Sequence, residues 1–264
     1  MKTKTILFAA SMLMAFACAA PKTDLDKYGL NCIVKEVRVT ADSLEFPYTA
    51  LFNELGQITE VSMSNYDGSF RYRESYTYDD KHRVIEIRGV NAENEDEIRY
   101  EYEYDGRFMS ICRIYGMNNN EMNRWEHEND GRHIVRTVYY NEGEQQYTTT
   151  RIFDGNSYKE ESVSVEGDVL GRATIQFLTE EKPMRIDGDD IHIEIDYNEK
   201  GLPVRSLNIL LSSICELHWG NSLDIFPERF YTYEYDKRGN WISRVEKTSP
   251  DGEAVAVLRR EIVY

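Results

Sequence analysis

Three side chains within seven residues could bind a transition metal, because imidazole nitrogens and carboxylates are common ligands of such ions. They are His127, Asp130 and His133. The three flank or form the tetrapeptide Asn129-Asp130-Gly131-Arg132, which has the composition of a tight turn. Turn and strand positions account for all three residue types, so we predict a hairpin turn here and no metal site.

Two acid-rich segments, Asn91 to Glu97 and Asp187 to Asp190, offer the oxygen ligands that calcium binds. Neither segment has the ligand spacing of a dedicated calcium loop. We therefore interpret both as solvated, negatively charged turns.

The three tryptophans are the candidate ligand-binding residues, because an exposed indole offers a flat surface on which a sugar ring stacks. They are Trp125, Trp219 and Trp241. Trp219 is the most suggestive, since His218-Trp219-Gly220-Asn221 lies in a stretch that interrupts the periodic pattern of the chain. Core packing is the alternative that we favour.

The chain contains no GxSxG, HExxH, Walker or dinucleotide-binding motif. We therefore predict a non-enzymatic protein without catalytic residues, cofactor or metal. The alternative is a secreted glycan-directed hydrolase that uses a pair of carboxylates in a groove. With 47 acidic side chains in the chain, the sequence does not single out any pair.

The charge of the chain excludes one class of partner. Its 264 residues carry 47 acidic and 31 basic side chains, a net charge of −16 at pH 7. Such a chain repels a phosphate backbone, so nucleic acid is not an expected partner. The composition, 41% hydrophobic and 30% charged, is that of a soluble globular protein.

The N-terminus has the pattern of an export signal. Lys2 and Lys4 precede an apolar run from Ile6 to Ala17 that is too short for a permanent membrane helix. The run ends in Ala15-Phe16-Ala17-Cys18, which resembles the lipobox of bacterial lipoproteins. This resemblance implies acylation of Cys18 and a location in the cell envelope, as an outer-membrane lipoprotein facing the periplasm or the cell surface.

Ala15 stands where a lipobox usually has Leu, and small residues at positions 15 and 17 also suit ordinary signal-peptidase cleavage. Both processing routes therefore remain open. Removal of residues 1–17 takes away two lysines and no acid, which lowers the net charge from −16 to −18. An acidic surface suits a protein held off an anionic membrane.

If Cys18 is acylated, Cys32, Cys112 and Cys215 remain. Three cysteines form one disulfide at most, and none of them lies in a CxxC motif or beside a histidine. We predict that they are small buried side chains. The sequence leaves open whether one pair is bridged.

A repeat of roughly 25 residues runs through the mature chain, and its strands and turns must position these candidate residues. Each copy, here called a repeat block, opens with an aromatic residue or Asn, followed in most copies by an acid or Asn and a turn glycine. The blocks begin at Phe52, Tyr78, Tyr104, Asn129, Phe153, Phe177, Tyr197 and Tyr235, and the copy at Phe177 is degenerate. The glycine supplies the left-handed backbone that a tight hairpin requires. Eight hairpins predict about sixteen strands.

The segments beside each block alternate with period two, as Tyr100, Tyr102 and Tyr104 do with Glu101 and Glu103. This alternation is typical of antiparallel strands with one buried face. Most of the 19 tyrosines are therefore expected in the core, with hydroxyls that reach its rim.

The blocks resemble the YD repeat of Rhs-like proteins, in which Tyr-Asp is followed within a few residues by Gly-Arg or Gly-Asn. The matching segments are Tyr104-Asp105-Gly106-Arg107 and Tyr235-Asp236-Lys237-Arg238-Gly239-Asn240, and the resemblance covers about residues 46–264. It implies an extended antiparallel sheet that wraps or spirals, and it implies no particular activity. Eight repeats are too few for the large shells of such proteins.

We therefore predict an all-β fold: an antiparallel β-meander of repeated hairpins in a curled or two-layered sheet, because an apolar sheet face must be covered. An outer-membrane barrel is the alternative. It is disfavoured by strands of about five to seven residues, by an apolar face rich in Tyr, and by the redundancy of a lipid anchor.

The predicted organisation has three parts: a signal peptide at 1–17, an N-terminal linker and first strand at 18–45, and a single repeat β-domain at 46–264. An insertion near 202–228 interrupts the repeat, and we favour a capping element over a binding face there. The predicted function is that of an exported, lipid-anchored envelope protein that acts as a binding or structural module. Its candidate partners are a glycan and another envelope protein.

Overall fold

A computed structural model describes residues 24–41, 47–92, 96–179, 182–189, 191–210 and 228–264. Within these ranges the chain forms a short helix, α1 (Asp24–Lys27), and eighteen strands. In chain order the strands are β1 (Glu36–Ala41), β2 (Tyr48–Phe52), β3 (Ile58–Ser64), β4 (Phe70–Tyr78), β5 (Val84–Asn91), β6 (Asp96–Asp105), β7 (Phe108–Gly116), β8 (Glu121–Asn129), β9 (Ile134–Asn141), β10 (Glu144–Asp154), β11 (Ser157–Ser164), β12 (Val169–Thr179), β13 (Lys182–Gly188), β14 (Ile191–Tyr197), β15 (Pro203–Leu210), β16 (Glu228–Tyr235), β17 (Trp241–Lys247) and β18 (Ala254–Val263).

Each strand pairs antiparallel with the next along the chain, and the first strand also pairs with the last. The β1–β18 register runs from Glu36 opposite Val263 to Ala41 opposite Leu258. The sheet is therefore a closed up-and-down barrel. This confirms the all-β antiparallel prediction, whereas the prediction of an open curled or two-layered sheet is wrong. Closure removes the unpaired edges that an open sheet would have to protect.

The predicted count of about sixteen strands is corrected to eighteen. The eight repeat blocks lie in alternate connections, from β2–β3 to β16–β17, so the strands that flank them are β2 to β17. The two strands outside the blocks, β1 and β18, pair with each other and close the barrel. Their paired residues are roughly 220 positions apart in the chain, a separation that no local pattern reveals.

The repeat blocks form the turns at one end of the barrel, which we call the repeat rim. In seven of the eight blocks the pairing register shifts at the opening residue, as at Tyr104 and Tyr235. Such bulges increase the strand twist that barrel closure needs. The turn glycines have positive φ, +59° at Gly106 and +83° at Gly239, which confirms the predicted hairpins.

Tyrosine is frequent at the repeat rim because its hydroxyl links one hairpin to the preceding one. In three blocks the opening tyrosine donates a hydrogen bond to a backbone carbonyl near the start of the strand that follows the preceding block. These bonds join Tyr78 to Ile58, Tyr104 to Val84 and Tyr197 to Pro183, at 2.7, 2.8 and 2.9 Å.

The two strand faces differ in burial, and the more buried face lines the barrel interior. Tyr102 packs against an interior cluster that includes Cys112 and Trp125, whereas the next residue, Glu103, faces outward and pairs with Arg113. This confirms the two-faced strands. Similar outer ion pairs follow the barrel wall and join Arg38 to Glu261, Arg99 to Glu86, Arg124 to Glu126, Arg136 to Glu128, Arg172 to Glu161, Arg185 to Glu194 and Arg205 to Glu228.

The N-terminal segment from residue 24 to residue 34 packs inside the repeat rim. Asp24 Oδ2 accepts hydrogen bonds from the Ile58 backbone N–H (3.0 Å) and the Tyr78 hydroxyl (2.6 Å). The Asn31 backbone N–H donates to Asn240 Oδ1 at 2.6 Å. The same segment contributes Leu25, Leu30 and Val34 to the cluster of Val37, Val39, Ala50, Phe52, Ile58, Val61, Trp241 and Leu258. Part of the predicted linker thus belongs to the core.

Cys32 and Cys112 are free thiols that lie in different interior clusters. Cys112 is 1% exposed, and desolvation raises the pKa of its thiol to about 12. A protonated, buried thiol is inert, as expected for a small core side chain.

Several predictions concern residues outside the described ranges: the signal peptide, Cys18, Cys215 and Trp219. The insertion near 202–228 is described only up to the end of β15 and from the start of β16. In the described ranges, no helix is long and apolar enough to cross a membrane.

Candidate functional site

The two described tryptophans both lie inside the barrel, Trp125 at 5% and Trp241 at 6% exposure. Neither offers a stacking platform on the outer surface. The Trp125 ring packs on Tyr139, which in turn packs on Tyr147, at centroid distances of 5.0 and 4.9 Å. Trp241 lines an interior cavity, so it is the predicted tryptophan that the fold brings to a candidate binding site.

The three candidate metal ligands do not converge. His127 Nδ1 lies 3.0 Å from Thr137 Oγ1 on the interior face. Asp130 Oδ1 accepts the backbone N–H of His133 at 2.7 Å within the turn, and the His133 ring stacks on Phe153 at 4.0 Å. Among the described residues, no group of three or more His, Cys, Asp or Glu side chains is arranged to hold a metal ion.

The second acidic segment is engaged in contacts within the protein. Asp187 accepts a hydrogen bond from Arg185 Nε (2.6 Å) and contacts His192 Nδ1 (2.6 Å). The bond from Arg185 is the main reason that the pKa of Asp187 is lowered. Asp189 Oδ2 accepts the backbone N–H of Arg172 at 2.9 Å. Parts of both acidic segments lie outside the described ranges.

A buried polar cluster, which the sequence analysis missed, lies on the interior face of β8 to β11. Arg151 Nε lies 3.1 Å from Glu160 Oε2, and these side chains are 5% and 2% exposed. Arg151 Nη1 also donates to Thr137 Oγ1 at 3.0 Å. The central cluster, as we call it, consists of His127, Thr137, Thr149, Arg151, Glu160 and Ser162.

Burial controls protonation in the central cluster. Desolvation, reinforced by the nearby Arg151 charge, lowers the pKa of His127 to about 4, so its ring is neutral at neutral pH. Desolvation raises the pKa of Glu160, against the opposing influence of Arg151. The charge of Arg151 is matched by a carboxyl group within hydrogen-bond distance.

A second interior feature is a cavity of about 310 Å³ beneath the repeat rim, here called the inner cavity. Its charged lining residues are Arg244 and Arg260, and no described residue of its lining is a carboxylate. The complete lining is Tyr28, Gly29, Tyr48, Leu202, Pro203, Tyr233, Trp241, Arg244, Leu258 and Arg260.

Arg260 is held in the inner cavity by neutral groups. Its Cζ lies 3.3 Å from the centroid of the Trp241 ring, its Nη1 donates to the Tyr28 carbonyl at 2.6 Å, and the Tyr48 hydroxyl is a further hydrogen-bond partner. Its buried Nε–H has no hydrogen-bond partner among the described residues. Desolvation lowers the pKa of Arg260 to about 10, which leaves the guanidinium charged at neutral pH.

A second cavity of about 310 Å³, the rim cavity, lies at the repeat rim and shares Gly29 and Leu202 with the inner cavity. The charged residues in the described part of its lining are Lys182 and Lys200. Lys200 Nζ donates to the Gly239 carbonyl at 3.0 Å. The two cavities therefore adjoin and present four cationic side chains.

A third cavity of about 280 Å³ is lined by Arg88, Ile98, Arg99, Gly116, Met117 and Asn119. The described lining residues of these three cavities include no carboxylate pair of the kind that a glycan hydrolase requires.

Sequence analysis missed Arg260 although β18 contains a signal for it. Leu258, Arg260 and Ile262 follow one another at period two, so a strand that buries Leu258 and Ile262 also directs Arg260 inward. The same rule applies to Arg151, which lies between Thr149 and Phe153 on the interior face of β10. Charged side chains on strands usually face solvent, and Arg151 and Arg260 are exceptions.

These features define a class: a closed eighteen-stranded antiparallel barrel with an aromatic interior and a basic cavity at one rim. No family model and no curated protein matches the chain. A porin-like protein from Bacteroides uniformis ATCC 8492 aligns with 87% of this chain and 97% of its own, at 10% identity and a TM-score of 0.42. A porin-like protein from Bacteroides vulgatus ATCC 8482 aligns with 86% and 97%, at 10% identity and a TM-score of 0.26. At these values we draw no functional conclusion from either likeness.

Proposed function

We propose that this chain is an exported, lipid-anchored, non-enzymatic binding protein of the cell envelope, and that water surrounds its barrel. The contrast between the two barrel faces carries the proposal. Ion pairs lie along the outer face, whereas aromatic clusters and the inner cavity occupy the interior.

A barrel that spans a membrane needs an outward apolar band. Here Arg205, on the outer face, lies 2.6 Å from Glu228 and 3.2 Å from Asp196. Arg113, also on the outer face, pairs with Glu103. An outward Arg or Lys costs about 2–4 kcal/mol at the midplane of a bilayer, so an outer face of this composition favours water.

The inner cavity supports a binding role. Its volume of about 310 Å³ falls at the lower end of the range of small-molecule sites, which are concave and mostly apolar with a few placed polar groups. Trp241, a ligand-binding candidate from the sequence, forms part of its wall. A cavity of this size suits a small ligand, such as a short glycan, better than a protein partner.

The proposed anchor orients the barrel. Cys18 precedes Asp24, which is bound at the repeat rim, by six residues. Six extended residues span at most about 20 Å. An acyl chain on Cys18 would therefore hold the repeat rim, with both basic cavities, close to the membrane surface.

Labelling cells with a fatty-acid analogue and fractionating them tests the proposal on the full chain. We expect label on the wild type and none on Cys18→Ala. We also expect the wild type to need detergent for extraction, and folded Cys18→Ala to be recovered without it. Absence of label on the wild type would contradict the lipid anchor. A folded Cys18→Ala protein that still needs detergent would show that lipid contacts the barrel wall.

A further inference from the structure

We propose that the inner cavity and the rim cavity together bind a small soluble organic carboxylate, with Arg260 as its principal counter-charge. This assignment names the ligand class of the proposed binding role and rests on that role. It specifies the charge of the ligand, which neither the outer face nor the anchor determines.

Arg260 carries a charge that no described residue of the cavity neutralises. Its contacts, to the Tyr28 carbonyl, the Tyr48 hydroxyl and the Trp241 ring, are all neutral. Arg260 is partly buried, and a cation withdrawn from water without a counter-charge is costly to the fold. No acidic side chain among the described residues lines this cavity.

A second guanidinium, that of Arg244, lines the same cavity. The Arg244 charge disfavours the charged form of Arg260, so the two cations repel each other. An anion between the two arginines would relieve this repulsion.

The shape and orientation of the Arg260 guanidinium also suit such an anion. A planar guanidinium with several N–H donors matches the paired oxygens of a carboxylate or phosphate. The Arg260 guanidinium already lies on the Trp241 ring, which fixes its plane, and its Nε–H is left without a partner among the described residues. Tyr28, Tyr48 and Tyr233 supply aromatic walls for the carbon body of the ligand.

The rim cavity offers the ligand a route into the inner cavity. The rim cavity adjoins the inner cavity and carries Lys182 and Lys200. Cations in a cleft with low-dielectric walls concentrate anions and accelerate their entry. In a chain with a net charge of −16, four cations around two adjoining cavities form a local field of opposite sign.

The test uses the mature, full-length protein and two matched pairs of probes: benzoate with benzyl alcohol, and glucuronate with glucose. We expect at least one of the two anions, and neither neutral counterpart, to raise Tm and to give a calorimetric binding isotherm at concentrations up to about 10 mM. Arg260→Gln should weaken binding by about tenfold or more. Arg259→Gln removes the same charge from the next residue, which faces outward, and should bind as the wild type does.

Arg244→Gln and Lys200→Ala provide independent variants should Arg260→Gln fail to fold. We expect Arg244→Gln to weaken anion binding and Lys200→Ala to slow anion association at low salt. Binding of neither anion to the wild type, or equal binding by each charged probe and its neutral counterpart, would overturn the proposal. Wild-type affinity in a folded Arg260→Gln or Arg244→Gln protein would overturn it as well. None of these results bears on the fatty-acid label or on detergent extraction. The ligand class and the lipid anchor are therefore tested separately.

Discussion

Two arginines on the interior face of the barrel have opposite electrostatic surroundings. In the central cluster, Arg151 lies 3.1 Å from Glu160 and donates to Thr137. In the inner cavity, the partners of Arg260 among the described residues are neutral, and the charge that acts on it is that of Arg244. Burial alone therefore does not mark a binding site. A buried charge that the chain itself neutralises is structural, whereas one without a counter-charge is suited to an ionic ligand.

The largest expected effect is in the central cluster. Glu160→Gln removes the carboxylate that faces Arg151 and leaves a buried, unmatched cation, which should cost about 3–5 kcal/mol of unfolding free energy. The adjacent Glu161 is 45% exposed and pairs with Arg172, so Glu161→Gln should cost less than about 1 kcal/mol. Chemical denaturation measures both. Equal losses in the two variants would remove the distinction between the central cluster and the outer ion pairs.

The next effect is a pH dependence, again in the central cluster. The pKa of His127 is about 4 in the folded protein against an ordinary value of 6.5. Between these values the unfolded chain binds a proton that the folded barrel does not, so stability falls as the pH falls from about 6.5 to about 4, by at most about 3 kcal/mol. Above pH 6.5 both forms are neutral and this contribution is fully present.

His127→Gln should lack that part of the pH dependence, and denaturation at several pH values between about 4 and 7 measures the difference from the wild type. His82 is exposed in a turn with φ of +65°, and His82→Asn should keep the wild-type slope. An unchanged slope in His127→Gln would show that the central cluster does not hold a neutral imidazole.

A smaller effect distinguishes two turns of the repeat rim. A Cβ on Gly106 would meet no atom within 4 Å, whereas one on Gly239 would lie 3.2 Å from Asn31 Nδ2 and 3.4 Å from Lys200 Nζ. Both positions have positive φ. Gly106→Ala should therefore cost about 1 kcal/mol from backbone strain alone, and Gly239→Ala somewhat more. Only Gly239→Ala should also weaken anion binding, because the added Cβ crowds Asn31 and lies against Lys200 in the wall of the rim cavity. Reduced anion binding in both variants would argue against a local role for the rim cavity.

The smallest expected effect is at Arg260 without ligand. Arg260→Gln removes an unmatched buried charge but also a contact with Trp241, so unfolding free energy should change by about 1 kcal/mol or less. Denaturation in a buffer free of organic anions measures it. A loss as large as that of Glu160→Gln would show that the fold neutralises Arg260 as it neutralises Arg151.

Local sequence patterns predicted much of the barrel because hairpins are local structures. The repeat blocks located the turns between β2 and β17, and the alternation of Tyr102 and Glu103 assigned the strand faces. The pattern did not predict where Arg151 and Arg260 lie. Strand alternation directs both side chains inward, whereas charged side chains in general prefer solvent. Trp241 was a candidate from residue type alone, and its position in a cavity wall depends on β16 to β18 and the N-terminal segment.

The sequence by itself determined the all-β class, the turn glycines, the order of hairpins and the export signal that it predicts. Each of these depends on residues within a few positions of one another. The tertiary structure decided closure, through the pairing of β1 with β18, and it decided that residues 24–34 fill the repeat rim. It also decided which buried arginine meets a carboxylate. These outcomes join segments far apart in the chain, and they depend on accumulated strand twist and on desolvation, which no short stretch of sequence contains.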